Sequence, residues 1–302
     1  MTNVKNYQGA MLGLAVGDAL GATTENMWTY DIRKQYGIHQ DIVGGGWLRL
    51  KPGQVTDDTD MTMAVAYGVL KDSGRSVINY IGEEFVKWFN SKPVDVGNIT
   101  RIAIQEYIDQ RRKKSWAKAG KFAHDVTGGK SAGNGSLMRC LPVALAYQFD
   151  REIMEIVTEK QGEMTHYDPL ATEACKIYNR IALRVIQGEE LKKSIREEIR
   201  DTRYAPMTKQ NPMGRPSGYV VDTFEWVLRV LLTSYSYEQV IIKLANAGSD
   251  SDTTAAIAGG LAGLYYGVDE IPARLADKII RKDEILLTAE RLYAISGKEA
   301  VK

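Results

Sequence analysis

Residues 9–21 read GAMLGLAVGDALG, with Gly9, Gly13, Gly17 and Gly21 recurring every fourth position in an otherwise apolar run. Residues four apart share one face of a helix, so this segment presents a smooth stripe along one side. Residues 255–267 read AAIAGGLAGLYYG and repeat the spacing at Gly259, Gly263 and Gly267. Glycine costs about 1 kcal/mol against alanine inside a helix, so such stripes are expected to serve close backbone packing. Two central helices in tight contact are predicted, and with them an all-α fold. Apolar periodicity predicts further helices over 77–90, 99–111, 138–148, 168–187, 189–200, 221–234, 237–247 and 283–294. Strand-like alternation is scarce, although Trp47-Leu48-Arg49-Leu50 reads as a short extended piece after three glycines. Residues 120–135 and the proline-bearing 202–218 are expected as loops. No tandem repeat, low-complexity tract or linker interrupts the chain, so 1–302 is expected to form one domain.

Two acid clusters stand where helices are expected to begin. One is Thr56-Asp57-Asp58-Thr59-Asp60, ahead of an apolar run to Leu70; the other is Asp250-Ser251-Asp252-Thr253-Thr254, ahead of the second glycine stripe. Asp, Ser and Thr are good N-caps, and acids in a first turn complement the helix dipole. A single such cluster reads as a cap. Two caps need two acids at most, whereas these segments hold five, and crowded carboxylates repel unless a cation or solvent neutralises them. The pair therefore favours a metal site. With three histidines and two cysteines lacking ligand spacing, zinc is disfavoured, and the oxygen-rich set points to Mg²⁺ or Mn²⁺. The D-x-D spacing lacks the rest of a calcium-binding EF-hand loop.

Lysine plus arginine, 39, nearly equals aspartate plus glutamate, 38, which argues against a bulk nucleic-acid or acidic-membrane binder. The Arg111-Arg112-Lys113-Lys114 patch reads as a solvated helix end. Cys140 and Cys175 do not make a disulfide scaffold, and a reducing cytoplasm fits. The N-terminus is polar, with no expected signal peptide, and the run 255–268 is too short to span a bilayer.

Three segments carry a family resemblance: residues 9–21, Thr56-Asp57-Asp58-Thr59, and Gly248-Ser249-Asp250-Ser251-Asp252-Thr253. Together they resemble the ADP-ribosylglycohydrolase family, and the likeness runs from about residue 7 to Pro272. Residues 35–60, QYGIHQDIVGGGWLRLKPGQVTDDTD, and 92–98, KPVDVGN, narrow it within the family. The resemblance implies an all-helical domain with two Mn²⁺ or Mg²⁺ ions at the base of a cleft. Thr56, Asp57, Asp58, Asp250, Asp252 and Thr253 match its ligand motifs, with Asp18 in a supporting role. Asp95 and Asp58 are the implied catalytic groups. Taken alone, Asp95 reads as a turn or cap; the resemblance places it beside a ribose, next to Asn98. Gly133-Asn134-Gly135-Ser136, leading into a helix that holds Met138 and Arg139, becomes an expected pyrophosphate contact. Tyr219 is expected on the adenosine side, Glu25 on a flap, and His166 near the ribose. His166 stands in T-H-Y-D-P where relatives carry T-H-N-H-P, so Asp168 replaces a second histidine.

The implied reaction is hydrolysis of the N-glycosidic bond between ADP-ribose and a protein arginine. The narrower match implies the nitrogenase iron protein as the modified partner. Serine-linked ADP-ribose, O-acetyl-ADP-ribose and a catalytically silent ADP-ribose-binding module are the competing readings. A monomer is expected.

Overall fold

The computed structural model describes residues 2–71, 76–111 and 114–296. Among these residues there are fifteen α-helices and no strand. In chain order they are α1 Val4–Gly21, α2 Thr29–Tyr36, α3 Asp57–Leu70, α4 Val77–Asn90, α5 Asn98–Asp109, α6 Trp116–Val126, α7 Leu141–Ala146, α8 Arg151–Glu163, α9 Pro169–Ile186, α10 Leu191–Ile199, α11 Val220–Thr233, α12 Tyr237–Ala245, α13 Ser251–Tyr266, α14 Ala273–Ala276 and α15 Lys282–Ser296. The all-α expectation holds.

The glycine stripes meet. A Cβ added at Gly9 would lie 2.2 Å from the Gly263 carbonyl oxygen; at Gly13, 2.7 Å from that of Gly259; at Gly17, 2.1 Å from that of Ala255; at Gly21, 2.3 Å from that of Ser251. Each pair sums to the same number, so α1 and α13 run antiparallel in one fixed register. Both are buried almost all round, as a helix apolar on every face must be. The register brings the C-terminal end of α1, with Asp18, beside the acid-bearing start of α13.

Asp18 then fixes α3. Its fully buried carboxylate accepts the Thr56 N–H at 3.1 Å, the Thr59 N–H at 3.1 Å and the Thr59 hydroxyl at 2.5 Å. An anion so placed satisfies free donors at a helix start and complements its dipole. The second acid cluster is thereby docked against the first. The remaining helices pack around this centre, α4 on α3, α15 on α1, and α11 and α12 on α13.

Several local expectations are corrected. Residues 120–126 belong to α6: Gly120 is there because a Cβ would lie 1.8 Å from the Glu163 carbonyl oxygen, so it reports close packing and not a turn. The helix expected over 138–148 is only α7, because Pro142 has no N–H to give the Met138 carbonyl and the helix starts afresh at Leu141. Trp47 to Arg49 form turns closed by one bridge between Gly45 and Leu50, after three glycines at φ 69°, 82° and 66°. Helices α2, α8 and α14 are additional. The basic patch at 111–114 lies in part outside the described residues. No helix among the described residues is long and apolar enough to cross a membrane.

Candidate active site

Helix starts build the site. Thr56 caps α3 through its own hydroxyl, which accepts the Asp58 N–H at 3.3 Å, so neither Asp57 nor Asp58 is needed as a cap. Asp250 occupies the N-cap position of α13 yet its side chain bonds no backbone N–H of that helix. It turns instead to Asn134, whose amide donates to Asp250 Oδ2 at 2.5 Å and to Thr223 Oγ1 at 2.9 Å. Capping therefore does not account for these carboxylates.

The two clusters touch. The Thr253 hydroxyl donates to Asp58 Oδ2 at 3.1 Å, and the Thr56 hydroxyl reaches the same oxygen at 3.2 Å. Glu25, just after α1, brings a carboxylate oxygen within 4.8 Å of oxygens on Asp250 and Asp252, a trio that can hold a metal ion. The Trp47 indole N–H donates to Glu25 and fixes its direction. Around these groups lies a cavity of about 270 Å³, lined by Glu25, Asp57, Asp95, Asn98, the Gly133–Gly135 turn, His166, Asp250, Asp252 and Thr253 among others. Asp60, two positions beyond Asp58, leaves this group: it bonds Arg281 at 2.5 Å and the Trp88 indole at 3.3 Å.

The electrostatics are those of a cation site. Burial, reinforced by Asp95 and Asp18, pushes Asp57 up to about 8. Burial, with Asp18 and Asp57 adding repulsion, raises Asp58 well above the carboxylate range; burial and the Glu25 and Asp58 charges do the same for Asp252. Burial also lifts Glu25 to about 7 against the Trp47 hydrogen bond, and Asp18 to about 6 against its hydrogen bonds from Thr59 and Thr56. Burial raises Asp250 as well, opposed by the Asn134 hydrogen bond. Asp58 Oδ1 and Asp252 Oδ1 are buried with no hydrogen-bond partner among the described residues. An unpaired buried carboxylate oxygen is costly, and an all-oxygen donor set suits Mg²⁺ or Mn²⁺. The residues present fit such ions.

A sign follows for the cation-free protein. Groups whose pKa is raised on folding leave stability intact below their unfolded value near 4 and remove it as pH climbs through the folded value, here about 8 for Asp57. Chelator-treated protein is expected to melt at progressively lower temperature from about pH 5 to about pH 8. Asp57→Asn should flatten that decline, and added Mn²⁺ should raise the melting temperature more at the higher pH. A decline as steep in Asp57→Asn as in the unsubstituted protein would contradict this account.

Asp95 sits between α4 and α5, half-buried, with its pKa raised by burial; Asn98 opens α5 at the cavity rim. The expected phosphate loop needs three corrections. Ser136 is fully buried, with its hydroxyl accepting from Cys175 Sγ at 3.5 Å, and it does not line the cavity. The Asn134 N–H is already bonded to the Gly218 carbonyl at 3.1 Å, and its side chain holds Asp250. Nor does the loop enter an α-helix: it closes as a single 3₁₀ turn, and Met138 and Arg139 lie in turns beyond it. Gly133 and Gly135 do face the cavity, where His166 packs behind them. Tyr219 is outside the acidic cavity but lines an adjoining one of about 480 Å³ that shares Ile99, Gly133 and Gly218 with it. Asp168, in place of the second histidine, caps α9 through the Leu170 N–H at 2.9 Å.

The family model for ADP-ribosylglycohydrolase matches residues 2–300. The chain belongs to this family. Members of the ADP-ribosylglycohydrolase family similar to it include the ADP-ribosyl-[dinitrogen reductase] glycohydrolase of Rhodospirillum rubrum, 41% identical over 298 residues that cover 96% of each chain. The ADP-ribosylarginine hydrolase Tri1 of Serratia proteamaculans is 29% identical, covering 97% of this chain and 80% of its own. A solved ADP-ribosylglycohydrolase-related protein complex superposes with a TM-score of 0.82 at 27% identity, over 97% of this chain and 98% of that one. The protein is an enzyme, a glycohydrolase acting on ADP-ribosyl groups. The Trp47–Glu25 bond and the Asn134–Asp250 bond were not anticipated from sequence; each joins a loop residue to an acid with no local spacing to announce it.

Proposed function

We propose that this protein hydrolyses the N-glycosidic bond between ADP-ribose and a protein arginine, with the nitrogenase iron protein as its target. The observation that carries the reading is the meeting of Glu25, Asp57, Asp250 and Asp252 at one cavity, with Asp58 bonded to the cavity-lining Thr253 and Asp95 at its side. The 41% identity to a glycohydrolase named for dinitrogen reductase supports the choice of target. We take residues 1–302 to act as one domain, as a monomer in the cytoplasm.

Two Mn²⁺ or Mg²⁺ ions would be held by Thr56, Asp57, Asp58, Asp250, Asp252 and Thr253, with Glu25 at their edge. When bound, such ions supply positive charge to sugar hydroxyls and lower the pKa of a water. The chain's own residues do the rest. Asp18 and Asn134 hold the α3 and α13 carboxylates in place. The glycines of the 133–135 turn let a phosphate approach, while Tyr219 offers a ring to the base. Asn98 and Asp95 border the ribose end, where Asp95, with its pKa raised by burial, can exchange a proton with a substrate hydroxyl or the departing guanidine. In the net reaction water oxygen bonds the anomeric carbon, the carbon–nitrogen bond breaks, and the guanidine nitrogen takes the proton.

Incubating arginine-ADP-ribosylated iron protein with the enzyme, with and without Mn²⁺, and measuring intact mass tests this. Loss of one ADP-ribosyl mass, dependent on Mn²⁺, is expected. Release from serine-modified protein but not from arginine, or release of AMP, would overturn the assignment; binding of ADP-ribose without turnover would mark a silent module.

A further inference from the structure

Arg139 is fully buried outside the acid cluster, between α8 and the α3–α4 pair. Its Nε donates to Gln161 Oε1 at 3.0 Å, and Nη2 donates to the Gln161 carbonyl at 2.9 Å and to Thr165 Oγ1 at 2.8 Å. The guanidinium also lies 4.5 Å from the Phe85 ring centre. Thr165 Oγ1 is in turn 2.7 Å from His166 Nδ1. A guanidinium only donates. The Thr165 oxygen must therefore accept from Arg139, and its hydroxyl hydrogen needs an acceptor. Among the described residues the acceptor within reach is His166 Nδ1. That nitrogen is then unprotonated, and a neutral ring carries its hydrogen on Nε2.

Nε2 has no hydrogen-bond partner among the described residues, and the ring lines the acidic cavity behind two glycines. A Cβ at Gly133 or at Gly135 would lie 3.1 Å from Nε2, so the absence of side chains there is what leaves this edge open. We propose that Thr165, oriented by Arg139, is a positioning residue that locks His166 as the Nε2–H tautomer, giving the cavity one fixed neutral donor for a ligand oxygen. Burial, followed by the nearby Arg139 charge, pushes the imidazole down to about 3, which agrees with a ring that donates a hydrogen bond and shuttles no proton. A cationic ligand nitrogen has no acceptor there. The group recognised is an oxygen, and in the reading above it is a phosphate or ribose oxygen of ADP-ribose; this last step rests on that reading.

The tautomer can be read without any ligand, from long-range ¹H–¹⁵N correlations of the imidazole nitrogens in ¹⁵N-labelled protein. There are three histidines, and His166→Gln identifies the signals to follow. The wild-type ring is expected as Nε2–H at neutral pH; an imidazolium or an Nδ1–H ring would overturn the proposal. Thr165→Val keeps the side-chain shape without the hydroxyl and should produce a mixture of tautomers, with ADP-ribose binding weakened about fivefold, as for one lost hydrogen bond. Thr165→Ser should restore the single tautomer and bind within about twofold of wild type. A single Nε2–H tautomer in Thr165→Val would remove Thr165 from the role. If the wild-type tautomer is as stated and ADP-ribose fails to bind, the functional reading falls and the positioning argument stands.

Discussion

Asp250→Ala is expected to fold, to lose divalent-cation binding and to release ADP-ribose from arginine about a thousandfold more slowly. Asp250 occupies a cap position without capping, so its removal uncovers no helix donor. Losing a true Asp cap would cost about 1 kcal/mol. Here the substitution instead takes one charge out of a buried, mutually repelling group, and the cation-free melting temperature should stay level or rise. Asn134 keeps its bond to Thr223 Oγ1, so the loop survives. Asp95→Ala is the informative partner. It is expected to keep cation binding, weakened only by the loss of a nearby negative charge that acts on Asp57 and Asp250, and to lose turnover by roughly 10²- to 10⁴-fold. Calorimetric Mn²⁺ titration beside single-turnover release separates the two. An Asp250→Ala protein that melts earlier yet works normally would return the residue to a structural role.

What could be read from the chain, and what could not, divides along physical lines. The glycine stripes were legible because helical period and small size act locally; the register that pairs Gly9 with Gly263 and Gly21 with Ser251 was not, because it is set by contacts between helices far apart in the chain. The acids at the starts of α3 and α13 were legible as crowding. Asp60 was counted with them, but two positions further along a helix points away, toward Arg281. Helix α8 was missed because its buried face includes Thr158 and Gln161, which serve Asn179 and Arg139, while Ile153 and Ile156 are exposed. Its apolar period is thereby blurred. Glu25 and Asn134 owe their places to contacts far along the chain, with Asp250 and Asp252, and no spacing rule reaches that distance. A glycine in sequence can mean a turn or a close approach, and Gly120 was read as the wrong one of the two.

The ambiguity of glycine sets up the second large effect. Gly263→Ala would put a Cβ 1.9 Å from the Gly9 carbonyl oxygen, and Gly21→Ala would put one 2.3 Å from that of Ser251. The obstructing atoms are backbone of a buried helix, which cannot rotate aside as a side chain would, so α1 and α13 must separate. Overpacking of a tight core costs on the order of 3 kcal/mol, well beyond alanine's propensity gain of about 1 kcal/mol. Both variants should melt several degrees early, whereas Gly218→Ala, with nothing within 4 Å of the added carbon, should not. The two differ in function. Gly263 lies twelve residues from the start of α13, about 18 Å along the helix, so its variant should keep Mn²⁺ affinity while it stays folded. Gly21 abuts Ser251 itself, between Asp250 and Asp252, and prying the helices apart there shifts the carboxylates. Gly21→Ala should weaken Mn²⁺ binding at least tenfold at temperatures where circular dichroism reports full helix content, a loss of about 1.4 kcal/mol. Equal Mn²⁺ affinity in the two variants would mean that the register of α1 against α13 does not set the spacing of the acids.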